Sequence, residues 1–187
     1  WNTYEIFDQH EGFTDLDIEG ITNTVIQNLP DEAEAFGRTA SEVDDEEPPK
    51  AFYHMDKTQD EMKNLGRPTG SPEYDTMGDI FRRRVWDQVD EIKENGNRVQ
   101  SNSVKFVDHL MTVSPQFFRE DPNAAGQFDK DKVETWLRST LKTIQENFAE
   151  ENLVAIEVHM DESTPHLHFQ TVPETTDGRL SVNDRFT

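Results

Sequence analysis

The ten residues from His159 to His168, His-Met-Asp-Glu-Ser-Thr-Pro-His-Leu-His, constrain this chain more than any other stretch. In an extended strand, residues i and i+2 share a face. His166 and His168 therefore project together, while Leu167 points the opposite way into a core. Pro165 lies between His159 and His166 and disfavours a helix. The spacing thus differs from a helical His-Glu-x-x-His, whose two histidines share one helix face. Ile156 and Val158 before the cluster, and Phe169, Thr171 and Val172 after it, are strand formers. The segment reads as two strands of one sheet joined by a short turn at 161–165.

A single histidine is ordinarily a surface or satisfied core residue. Three of the chain's six fall within these ten positions, with Glu162 among them, and a cluster of that kind points to metal. Imidazole suits Mn, Fe, Ni and Zn. His166 and His168 are the first candidate ligands, and His159 and Glu162 can supply the rest of the sphere. Asp161 either orients a histidine or holds the turn. The chain has no cysteine, which excludes disulfides and thiolate metal sites.

The pattern His-x-Asp-Glu-x-x-Pro-His-x-His resembles the metal-binding motif of the plasmid mobilisation and recombination relaxases (Pre/Mob, or MobV-type). These belong to the HUH endonucleases, named for their His-hydrophobic-His pair. The flanks are similar too: Asn147-Phe148-Ala149-Glu150 ends a helix before the first strand, and Val172-Pro173 and Gly178-Arg179-Leu180-Ser181 follow the motif. The resemblance covers residues 98–187.

It implies a metal-dependent enzyme that nicks one DNA strand at an origin and becomes linked to the 5′-phosphate, in plasmid mobilisation or recombination. The implied cofactor is Mn²⁺ or Mg²⁺, the implied ligands are His159, Glu162, His166 and His168, and the implied partner is single-stranded or origin DNA. The family's early His-Asn-x-Arg motif has a partial counterpart in His54-Met55-Asp56-Lys57, where Met replaces Asn and Lys replaces Arg. His54 is the first candidate nucleophile. Tyr53 beside it and Tyr74, at the family's spacing, are the next, and Tyr4 also follows. Two alternatives stand beside this reading: a rolling-circle replication initiator using the same chemistry, and a non-catalytic HUH relic that binds DNA or protein.

The charge sits awkwardly with DNA. The formal net charge is −21; residues 1–80 hold 20 acidic and 5 basic side chains, and residues 81–187 hold 19 and 13. Proteins that bind nucleic acid ordinarily carry basic patches. A halophilic source is the favoured explanation, because at molar salt the Debye length falls to about 3 Å and repulsion of phosphates is screened. The other is an acidic N-terminal region that covers the DNA groove or docks a protein partner. The basic cluster is Arg82-Arg83-Arg84, expected on a helix; with Arg67, in a Gly/Pro-rich loop at 64–73, these are the candidate DNA contacts.

The 187 residues suit one domain with an extension. Residues 1–50 read as an acidic extension or insertion with a solvated linker from 30, and residues 51–187 as the relaxase-like domain. Within the first 29, a strand and a short helix are expected. Further helices are expected from Asp79 to Asn95, stopped by Gly96, and from an Asp129 cap to Glu150. A buried strand is expected from Val104 to Val113. The fold class is α+β, HUH/relaxase-like, with a central antiparallel sheet and helices packed on its faces. No apolar run is long enough to span a membrane and no leader pattern opens the chain, so a cytoplasmic location is expected. The start at Trp1 and the family's usual length lead us to expect more chain at both ends.

Overall fold

The computed structural model describes residues 2–6, 12–29, 59–121, 128–148, 152–160 and 164–186. In chain order the elements are β1 (Asn2–Ile6), α1 (Asp15–Asn28), α2 (Gln59–Lys63), α3 (Met77–Glu94), β2 (Val107–Thr112), α4 (Pro115–Phe118), α5 (Lys130–Asn147), β3 (Leu153–His159), β4 (His166–Thr171) and α6 (Val182–Phe186), with a 3₁₀ turn at Pro72–Tyr74. The four strands form one antiparallel sheet in the order β1-β3-β4-β2.

β3 is apolar on both faces except at Glu157 and His159, and all seven of its residues are buried. That suits a central strand covered on each side. One face carries Ile156, Val158, Leu167 and Phe169, which pack under α1 and α5. On α5, Val133, Trp136, Leu137, Thr140, Leu141 and Ile144 recur at helical spacing and are buried. α1 adds Ile18, Ile21 and Val25 to the same core. Its start is set by a capping box in which Thr14 and Asp17 satisfy each other's backbone donors.

The other face is covered by α3 over only part of its length. Phe81, Val85, Val89 and Ile92 pack there against Phe106, Val154, Ala155 and Val172. α3 starts at Met77, two residues before the expected Asp79, because Asp79 is the third residue of a capping box with Thr76. It ends at Glu94, and Gly96 turns the chain with φ +88°. Helices thus pack on both faces, as expected for the α+β class.

Two further expectations need correction. The buried strand expected over Val104–Val113 is shorter, Val107–Thr112, and lies at the sheet edge, where Leu110 is 59% exposed. An apolar run does not distinguish an edge from a centre. α5 stops at Asn147 rather than Glu150, because Phe148 takes an extended conformation. β1 pairs with β3 along its length, and Phe13, Ile18, Ile21, Val25 and Leu29 share the core of α5. The short helices α4 and α6 had no sequence expectation. Residues 30–50 lie outside the described residues.

Candidate metal centre

Strand alternation sends Leu167 into the core, fully buried, and His166 and His168 to the face that α3 leaves uncovered. The β3–β4 register sets His159 directly opposite His166 and Glu157 opposite His168. The imidazoles of His159 and His166 stack at 4.7 Å between ring centres with an interplanar angle of 11°. His168 closes the triangle at 5.3 Å from His159 and 5.4 Å from His166. One nitrogen from each ring lies within 4.8 Å of the others, the cluster among the described residues that can hold a metal ion. Metal–nitrogen bonds of about 2.0–2.1 Å ask for a tighter triangle, which small side-chain rotations supply.

Each ring is anchored differently. His166 Nδ1 lies 3.1 Å from the Thr164 carbonyl; a carbonyl only accepts, so Nδ1 carries the proton and the lone pair sits on Nε2. His168 Nδ1 donates to Asp108 Oδ2 at 3.0 Å, and Gln170 Nε2 donates to Asp108 Oδ1 at 2.7 Å. This is the arrangement that orients metal-ligating histidines. His159, 2% exposed, places Nε2 3.1 Å from Glu157 Oε1. On the neighbouring strand, Thr112 Oγ1 donates to the Pro165 carbonyl at 2.9 Å and ties the end of the hairpin to β2. Three imidazoles beside two carboxylates offer a donor set suited to a divalent cation of borderline hardness.

Asp108, Gln170 and Glu157 were missed from sequence. Asp108 reaches the site through strand pairing 60 residues away, which leaves no local signal. Glu157 did leave one, a carboxylate inside the apolar run Leu153–Val158. Glu162, His54 and Tyr53 lie outside the described residues. Tyr74 is described in its backbone alone, at the end of the 3₁₀ turn.

The candidate DNA-contacting arginines are held in ion pairs. Arg67 makes two bonds to Asp90, at 2.6 and 2.7 Å, with its guanidinium 4.1 Å from the Trp86 ring centre. These bonds hold the Asp90 carboxyl down at about 2. Arg82 pairs with Asp79 at 2.6 Å, and Arg83 with Asp75 and the Gly70 carbonyl. Arg84 is half-buried on the same helix. Arg67 and Arg82 do meet on one surface cavity, with Asn64, Thr69 and Asp79 in its wall.

His109 lies on the opposite sheet face from the triad. It stacks on Phe169 at 4.4 Å and bonds through Nε2 to Thr171 Oγ1 at 2.9 Å. Burial pushes its pKa down to about 4. It belongs to the aromatic core. No described helix is long and apolar enough to cross a membrane.

Comparison with known proteins adds a family to this geometry. Residues 50–187 match the family model Mob_Pre, described as plasmid recombination enzyme. A plasmid recombination enzyme type 1 from Staphylococcus aureus is 28% identical over 105 residues, 56% of this chain and 24% of that protein. A plasmid recombination enzyme from Bacillus thuringiensis is 34% identical over 98 residues, 52% of this chain and 20% of that protein. The matched stretch thus spans a quarter or less of these curated relatives. Among solved structures, the MobM relaxase domain bound to plasmid pMV158 oriT DNA, with Mn, aligns over all of this chain and 77% of its own, with 17% identity and a TM-score of 0.48. With the family model matched across most of its length, this chain belongs to the Mob_Pre family of plasmid recombination enzymes.

Proposed function

We propose that this chain carries the metal centre of a DNA relaxase, which nicks one strand at a plasmid origin and transfers it. The observation that supports this most is the triad of His159, His166 and His168 on adjacent central strands, in a chain that belongs to the plasmid recombination family. Those three histidines, with Glu162 from the segment that joins the strands, would hold Mn²⁺ or Mg²⁺ in this reading. A divalent ion held there would supply Lewis-acid polarisation of a phosphate oxygen.

The protein's own groups do the rest. Leu167 locks the strand between the two candidate ligands into the core, and Asp108 and the Thr164 carbonyl hold Nδ1 of His168 and His166, turning Nε2 of each ring toward the metal position. His54 is the proposed nucleophile, with Tyr53 and Tyr74 as the next choices. Attack by one ring nitrogen forms an N–P bond as the P–O3′ bond breaks, and the proton lost from the other ring nitrogen ends on the departing 3′ oxygen. The phosphoryl link conserves the energy needed for resealing. Arg67, Arg82, Arg83 and Arg84 are the proposed DNA contacts, which must exchange their carboxylate partners for phosphate. In this reading the protein works in the cytoplasm, and the acidic segment before residue 51 is the proposed surface for a protein partner.

The test is nicking of a supercoiled plasmid bearing the cognate origin, with Mn²⁺ present. Wild type should yield nicked circles and a covalent protein–DNA adduct. His166→Ala should yield neither, and His54→Ala should lose the adduct. No nick and no adduct from wild type at any salt concentration would defeat the relaxase reading.

A further inference from the structure

We infer that Glu157 is a positioning residue for the metal: it accepts the Nε2–H of His159 and thereby presents Nδ1 of that ring to the ion. The inference rests on the metal reading of the triad and adds a residue outside the His-x-Asp-Glu-x-x-Pro-His-x-His pattern.

Four side chains occupy the corners of a square on the two central strands. His159 faces His166, and Glu157 faces His168. Three corners are imidazoles whose nitrogens converge; the fourth is a carboxylate. Glu157 is 1% exposed, between Ile156 and Val158, which enter the opposite core. A carboxylate in such a place is costly unless its charge is compensated. Among the described residues its ion-pair partner is His159, Nε2 to Oε1 at 3.1 Å. Its second oxygen, Oε2, is buried without a hydrogen-bond partner.

A purely structural carboxylate in a strand would be expected to have both oxygens satisfied. A buried acid with one orphaned oxygen, touching a candidate ligand, fits a group retained for the site. A neutral imidazole has one donor and one acceptor nitrogen. With Nε2–H committed to Glu157, the lone pair lies on Nδ1. His166 and His168 use Nδ1 for their anchors, so the triad presents one Nδ1 and two Nε2 atoms.

The experiment measures Mn²⁺ affinity by electron paramagnetic resonance on wild type, Glu157→Ala, Glu157→Gln and His168→Ala, together with apo-protein melting temperatures. Glu157→Ala should weaken Mn²⁺ binding by about 10–100-fold, while its apo form melts at or above the wild-type temperature because an unsatisfied buried oxygen is gone. Glu157→Gln, whose amide oxygen still accepts from Nε2–H, should recover most of the affinity. With Zn²⁺ as a diamagnetic probe, ¹⁵N spectra should show His159 bound through Nδ1 and protonated at Nε2. If Glu157→Ala fails to fold, Glu157→Leu against Glu157→Gln gives the same comparison. Mn²⁺ affinity unchanged in Glu157→Ala, or equally weak in the Ala and Gln variants, overturns the positioning role while leaving the metal site standing. Absence of Mn²⁺ binding by wild type itself removes both.

Discussion

Asp108 on β2 and His168 on β4 meet at 3.0 Å, Oδ2 against Nδ1, although 60 residues separate them in the chain. Gln170 holds the other carboxylate oxygen at 2.7 Å, so the aspartate cannot turn away from the imidazole without breaking two bonds. Removing it should free the His168 ring to rotate and to exchange tautomers. Asp108→Ala is therefore expected to lower Mn²⁺ affinity by about 10–100-fold. Asp108→Asn, whose amide oxygen can accept from Nδ1–H, should lose less. Calorimetric titration with Mn²⁺ checks the order wild type, Asn, Ala.

Metal should stabilise the fold, because the three histidines converge only when β3 and β4 are paired. For an ion that binds the folded chain alone, a concentration of 100 times Kd adds about 2.7 kcal/mol. Mn²⁺ should raise the melting temperature of wild type and leave those of His166→Ala and His168→Ala unchanged. A rise of equal size in the histidine variants would place the ion elsewhere.

Leu167 joins the core to the metal centre. It is fully buried between two candidate ligands, so Leu167→Ala opens a cavity directly beneath them. The expected cost is about 2–5 kcal/mol of stability, accompanied by weaker Mn²⁺ binding at temperatures where the variant stays folded. Urea unfolding measures the first and metal titration the second.

His109 makes stability depend on pH. Its pKa in the folded protein is pushed down to about 4 from an ordinary 6.5 by burial among Phe148, Phe169 and Phe186. A depressed value means the unfolded chain takes up the proton first. The contribution is therefore intact above about pH 6.5 and lost progressively as the pH falls toward 4. His109→Phe, which has no proton to gain, should lose less stability than wild type between these limits. Denaturant midpoints across that range, read on the metal-free protein, provide the check.

The net charge of −21 opposes both compaction and DNA binding at low salt, and the arginines best placed to help are already paired with aspartates. Screening shortens the Debye length from about 10 Å at 0.1 M to about 3 Å at 1 M. The melting temperature and the affinity for single-stranded origin DNA are both expected to rise over that interval. Affinity that falls steeply with salt, the usual polyelectrolyte behaviour, would contradict the screening account.

The three candidate metal ligands were legible because they lie close together in the chain and because strand alternation needs only local information. His166 and His168 are two apart, and Pro165 rules out the helix that would separate them. Long amphipathic helices were legible for the same reason: the apolar residues of α3 and α5 repeat every turn, and Asp129 and Gly96 mark the start of one and the end of the other. Boundaries drifted where a cap lay outside the apolar pattern, as at Met77, or where the backbone left the helix early, as at Phe148.

What depends on pairing between distant strands was not legible. A run such as Val104–Val113 looks the same at an edge as at a centre, and nothing near Asn2–Ile6 announces that it will pair with β3. The same holds for the groups around the histidines. Asp108 is an ordinary acidic residue until β2 is laid beside β4, and Glu157 is an anomaly in an apolar strand until its neighbour is seen to be His159. The sequence by itself determined which residues can bind a metal and that they sit on a strand-turn-strand. Only the tertiary structure decided which carboxylates hold those rings, because hydrogen bonds across a sheet follow register and strand order, and neither is written in any one segment.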